Sequence, residues 1–243
     1  MRLRVRLASS RGDVLKVSLR KLLHLTMSLA LLLPYLAEVE GLDALTYYAL
    51  LSIIAAAVNS FIVKRPLLSV KLKESFEKRR RRVLEALSKT SPAILDLNAK
   101  LLKLEGLIQE QIRQIEREYE RKGGYIGIVH GLVGVLSSQI IFGNDTFYGV
   151  LALAVVDPVA AVVGTLIGRF RVESLGISLE GSLSSLIAFY AVLSLTTRVA
   201  PHQALAISIT ATLAEAVSIE DNLTLPLVAS MAAYLVNAPL VRL

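Results

Sequence analysis

The chain has 243 residues, is 54% apolar with a mean hydropathy of +0.58, and carries a formal net charge of +7. Its apolar residues come in blocks of about 20, which excludes an ordinary soluble domain, where the apolar share is about 45–50% and dispersed. It contains no cysteine, which excludes disulfides, thiolate metal sites and a cysteine nucleophile, and its Lys and Arg flank the apolar blocks, a pattern of membrane topology and anionic-lipid contact rather than nucleic-acid binding.

The pattern predicts an all-α, polytopic transmembrane bundle of about seven spans. Residues 1–18, with Arg2, Arg4, Arg6, Arg11 and Lys16, form a basic cytoplasmic lead-in of amphipathic character. No small-residue cleavage site follows the first apolar run, so no cleavable signal is expected. Spans one and two cover about 19–36 and 44–63. The acidic stretch between them goes outside, and Lys64-Arg65-Pro66 stops the second on the inside. Residues 67–124 are too polar to span. The basic run 78–82 and the Ser91-Pro92 break lead there into Ile94, Leu97, Leu101, Leu104, Ile108 and Ile115 at near-heptad spacing. This segment reads as a cytosolic helical hairpin insert with one apolar seam, a surface for self-association. The remaining spans cover about 125–142, 147–169, 183–197, 203–217 and 223–240. The organisation is thus 1–66 with two spans, 67–124 as the insert, and 125–243 as the principal bundle.

The fourth span carries Asp157-Pro158 and, at 3–4-residue spacing, Ala160, Ala161, Gly164 and Gly168, before Arg169. That spacing places the acid and the small residues on one helical face. GxxxG by itself marks close helix packing; the acid one turn earlier does not, because a carboxylate in a bilayer costs at least about 2.5–3.5 kcal/mol and has to face protein, water or a cation. Pro158, lacking an N–H, is expected to kink or break the helix and free carbonyls near Asp157. With the N-terminus inside, Arg20/Lys21/His24, the 157–169 stretch, 178–182 and 215–222 all gather at the inner face. Such a gathering predicts a site for a soluble charged ligand.

Four of these blocks resemble motifs of the CTP-dependent polyprenol kinase family, which includes dolichol and phytol kinases. Asp157-Pro158-Val159-Ala160 through Gly164 and Gly168-Arg169 is similar to D-x-x-A-x-x-x-G-x-x-x-G. Ser178-Leu179-Glu180-Gly181-Ser182 is similar to K-S-x-E-G-S, with Ile177 in place of the lysine. Glu215 followed by Asp221-Asn222-Leu223-Thr224-Leu225-Pro226 resembles E…D-D-N-L-T-x-P, with Glu220 for the first aspartate. Arg20-Lys21-Leu22-Leu23-His24 resembles R-K-x-x-H. The blocks stand in family order, and the short length resembles the archaeal branch.

The resemblance implies an integral-membrane, multi-pass kinase with a cytoplasmic N-terminus and active site. It would transfer the γ-phosphoryl of CTP to a long isoprenoid alcohol taken from the bilayer. Such a site needs acids for Mg²⁺ and cations or N–H groups for phosphates. Asp157 is the first metal candidate, with Glu180 or Asp221 the second. Glu215 or Asp221 is the candidate base. Arg20, Lys21, Gly164, Gly168, Arg169, Ser178, Gly181, Ser182 and Asn222 are the phosphate-side candidates, since the start of the fifth span offers free N–H groups and a favourable dipole. His24 is a further candidate. Two other classes compete. A CTP-dependent phosphatidate-type cytidylyltransferase is disfavoured by the lack of a C-terminal K-D-x-x-D-x-x-x-x-H-G-G-x-x-D-R block, and a membrane scaffold would bind no nucleotide.

Overall fold

The computed structural model describes residues 3–5, 11–37, 42–64, 126–172 and 174–239. The described elements in chain order are β1 (Leu3–Val5), α1 (Arg11–Leu31), α2 (Leu33–Leu36), α3 (Ala44–Lys64), α4 (Ile126–Phe142), a 3-10 turn (Gly143–Asp145), α5 (Thr146–Leu166), β2 (Phe170–Val172), β3 (Ile177–Ser178), α6 (Leu179–Thr196), α7 (Pro201–Val217) and α8 (Asp221–Leu235). The chain divides into two units, Met1–Ala56 with Gly127–Leu243, and Ala57–Ile126. The insert expected at 67–124 lies outside the described residues.

Helix α5 is the axis of the first unit. Every residue from Thr146 to Ala154 is buried, as expected of a helix that is apolar all round. Helices α1, α6 and α8 pack against it, and α7 lies against α6 and α8. Close approach depends on missing side chains: a Cβ on Gly149 would stand 2.3 Å from the Pro226 carbonyl oxygen, and one on Gly134 would stand 2.6 Å from that of Leu223 and 3.0 Å from the Pro226 ring. Pro226 therefore touches both α4 and α5. The chain doubles back at the 3-10 turn, where Gly143 adopts φ +57°, a conformation that costs glycine little.

Among the described residues three helical runs are long and apolar enough to cross a membrane: Ala44–Phe61, Ile126–Leu166 and Leu179–Thr196. The second comprises α4 and α5, joined at the reversal. Large apolar side chains such as Ile53, Ile187 and Leu195 point outward, a surface suited to lipid.

Prolines are absorbed locally. Pro34 separates α1 from α2 and leaves the Ala30 carbonyl without its helical donor; the Tyr47 hydroxyl donates to it at 2.9 Å, and the Tyr48 hydroxyl to the Leu31 carbonyl at 2.7 Å. Pro158 does not break α5, which runs on to Leu166. The expectation of a break is corrected: the helix is continuous through the missing bond, with α1, α6 and α8 packed against it.

The bundle is not wholly helical. Strands β1, β2 and β3 form an antiparallel sheet in that order, with Leu3 opposite Val172, Arg4 opposite Arg171, and Arg171 opposite Ser178. The basic lead-in thus begins as a strand, and the α5–α6 loop is a hairpin turning at Gly176, φ +71°. Backbone groups in a loop need partners, and this short ladder supplies them.

Candidate functional site

Lys21 and His24 lie three residues apart on α1 and so on one face. Asp157 faces them from α5. The Lys21 ammonium donates to Oδ1 of Asp157, and Nε2 of His24 stands 3.3 Å from Oδ2. Both members of the ion pair are buried, Lys21 to 6% exposure and Asp157 to 2%. His24 also meets the Leu153 carbonyl, next to the Ala154 carbonyl that Pro158 deprives of its donor.

Two more acids close on this pair. Asp221, the first residue of α8, reaches the Asp157 carboxyl, and Glu215, near the end of α7, lies within electrostatic range of Asp157, Asp221 and Lys21. Three carboxyls thus face one ammonium and one imidazole. Burial in such a setting calls for full hydrogen bonding. It is not achieved: Oδ2 of Asp157, Oε2 of Glu215, Oδ1 of Asn222 and Oγ of Ser218 are buried without a hydrogen-bond partner. Asn222 donates its N–H to Oδ1 of Asp221 at 2.8 Å. Arg20 sits half-buried beside Lys21 on α1.

The α7–α8 turn lies at the level of Asp157, whereas α5 continues nine residues beyond it and α1 starts ten before Lys21. At 1.5 Å per residue both helices run on by roughly 15 Å, toward the sheet.

The second group of expected residues lies on the way to the sheet and is engaged otherwise. A Cβ on Gly164 would stand 2.5 Å from Ser178 Oγ, one on Gly168 2.8 Å from the same atom, and one on Gly181 2.5 Å from the Ala160 carbonyl oxygen. The GxxxG face is therefore filled by the start of α6, and packing occupies the space a phosphate was expected to take at Gly164 and Gly168. Ser178 caps α6, its hydroxyl accepting from Gly181 N–H at 3.1 Å, so that N–H is not open to a phosphate either. Ser182 is half-buried, with its carbonyl accepting from Ser185.

Glu180 is engaged at the start of β2. Its carboxylate accepts from the N–H groups of Arg169, at 2.8 Å, and Phe170, at 3.0 Å. Asp157 and Glu180, expected to share one cation, are thus engaged by different partners here: Lys21 and His24 for the first, the Arg169 and Phe170 amides for the second. Arg169 is exposed, while Arg171 turns back and donates to the Gly164 carbonyl at 3.0 Å.

One contact was not legible beforehand. His130 on α4 stands 3.3 Å from Glu220 just before α8. The glycines one turn on, Gly131 and Gly134, bring α4 onto Asn222 and Leu223, and that close approach is the signal that would have found it.

The cluster at Lys21, His24, Asp157, Glu215 and Asp221 can neutralise cations, and accept or hold a proton, in a buried setting. No protein-family model, curated protein or solved structure matches the chain.

Proposed function

We propose that the protein is an integral-membrane lipid kinase of seven passes, with its N-terminus and site on the cytoplasmic side, that transfers the γ-phosphoryl of CTP to the hydroxyl of an isoprenoid alcohol such as dolichol, phytol or geranylgeraniol. The observation that supports this most is the meeting of three of the four motif blocks in one buried cluster: Lys21 and His24, Asp157, and Glu215 with Asp221. Phosphoryl transfer is mainly positioning and charge neutralisation, and this cluster offers both signs of charge.

The side chains suit a hard divalent cation. Oε2 of Glu215 is a buried oxygen without a hydrogen-bond partner, Oδ2 of Asp157 faces Nε2 of His24 at 3.3 Å, and Asp221 reaches the Asp157 carboxyl. These three would hold Mg²⁺, which when bound neutralises phosphate charge and polarises the γ-phosphoryl. Arg20 and Lys21, neighbours on α1, would supply positive charge to the phosphates. The alcohol reaches the site between helices with its hydroxyl at the inner interface. Its oxygen bonds to the γ-phosphorus as the bond to the CDP oxygen breaks, and its proton passes to Glu215 or Asp221.

The test is incubation of the purified protein with Mg²⁺, geranylgeraniol or dolichol, and CTP labelled at either the α or the γ position. Label should reach the lipid only from the γ position and not in Asp157→Asn. Label from the α position would make the protein a cytidylyltransferase. No transfer from any nucleotide, or full activity in Asp157→Asn, overturns the proposal.

A further inference from the structure

We infer that the small sheet is a docking surface for anionic phospholipid headgroups: the apolar side chains of its hairpin lie at the membrane boundary, and strand β1 brings the positive charge of the lead-in to them. The inference goes beyond the kinase reading and does not depend on it, since no nucleotide or lipid alcohol enters it.

Two of the runs suited to a membrane meet the hairpin, one closing at Leu166 and the next opening at Leu179. Strands β2 and β3 pair between them, and β3 leads directly into α6, so the hairpin is held at the end of both helices. A loop surrounded by water would be polar on its outside. Here Ile167, Phe170, Leu175 and Leu179 are each 45% to 60% exposed, and a Cβ on Gly176, at the turn, would meet nothing within 4 Å. Leu179 also stands at four-residue spacing from Leu183 and Ile187, which are exposed on the same face of α6. A contiguous exposed apolar patch marks a protein or a membrane interface, and this one continues a helix face suited to lipid. The ladder helps as well: backbone groups that are already paired are spared the cost of meeting hydrocarbon unpaired.

Charge selects the lipid. The hairpin by itself is balanced, with Arg169 and Arg171 against Glu173 and Glu180. Strand β1 tips that balance. It lies in register with β2, Arg4 opposite Arg171, and it belongs to a stretch, 1–18, that sets Arg2, Arg4, Arg6, Arg11 and Lys16 against Asp13. A basic cluster beside a membrane span is drawn to a leaflet of negative surface potential. The pairing of β1 with β2 therefore joins an apolar patch to an excess of positive charge, and an anionic phospholipid surface complements both.

The protein contains no tryptophan, so Phe170→Trp reports on the hairpin without background. The full-length variant is reconstituted in phosphatidylcholine vesicles with a minor share of phosphatidylglycerol. Brominated acyl chains, which quench tryptophan on contact, are carried either by the phosphatidylglycerol or by an equal amount of the phosphatidylcholine. Quenching by the brominated phosphatidylglycerol is expected to be stronger by about twofold or more. Adding Arg2→Gln/Arg4→Gln/Arg6→Gln should bring the two levels together. Ile187→Trp, on the spanning part of α6, should be quenched alike by both lipids. Should Phe170→Trp fail to fold, Leu175→Trp carries the same expectation. Absence of quenching at the hairpin, equal quenching by the two lipids, the same preference at residue 187, or a preference that survives the triple arginine variant overturns the inference.

Discussion

Asp157 and Lys21 depend on each other more than either depends on the rest of the site. Removing one charge from a buried pair leaves the other unpaired, at a cost of about 3–5 kcal/mol, whereas replacing both with apolar side chains is often neutral. Asp157→Asn is therefore expected to lose both lipid phosphorylation and thermal stability. The double variant Lys21→Met/Asp157→Leu should recover most of the stability and none of the activity. Denaturation in detergent beside the labelled-CTP assay separates the two effects, and an unchanged Tm in Asp157→Asn would contradict the buried pair. The residues themselves stand out in the sequence, since an acid in an apolar run has no other use. Their pairing does not, because they are 136 positions apart.

Helices meet here through glycines. Gly149→Ala places a methyl against the Pro226 backbone, which cannot yield as a side chain would. A loss of about 1–3 kcal/mol is expected from such overpacking. Gly181→Ala meets the Ala160 carbonyl and should cost a similar amount. Gly176→Ala has open space around it but a left-handed backbone, so it should cost only about 1–2 kcal/mol and act on the hairpin alone. Thermal unfolding of the three variants ranks them, and a silent Gly149→Ala would refute the tight α5–α8 contact. The GxxxG of α5 was legible as a small face. What fills a small face is not encoded in its spacing: a phosphate and a second helix both fit the pattern, and only the position of Ser178 and Gly181 decides for the helix.

Across the whole molecule, the proposed orientation places Ile219, beside the acids, in the cytoplasm and Asn144, at the α4–α5 reversal, outside. Both are exposed, and a chain without cysteine permits single-cysteine labelling with no background. Ile219→Cys should react with an impermeant maleimide only from the cytoplasmic side and Asn144→Cys only from the opposite side. Reaction of both from one side would refute the orientation.

Apolar block length and flanking charge are local properties, and from them the sequence alone determined the helical, membrane-suited character of the protein and the approximate course of α4 to α8. The small sheet escaped it, because strands of two or three residues carry too little periodicity and are stabilised by a partner far along the chain. The tertiary structure alone decided that Glu180 turns to the Arg169 and Phe170 amides while Glu215 and Asp221 turn to Asp157. A carboxylate's partner is set by which helix ends arrive beside it, and that depends on packing summed over the whole bundle.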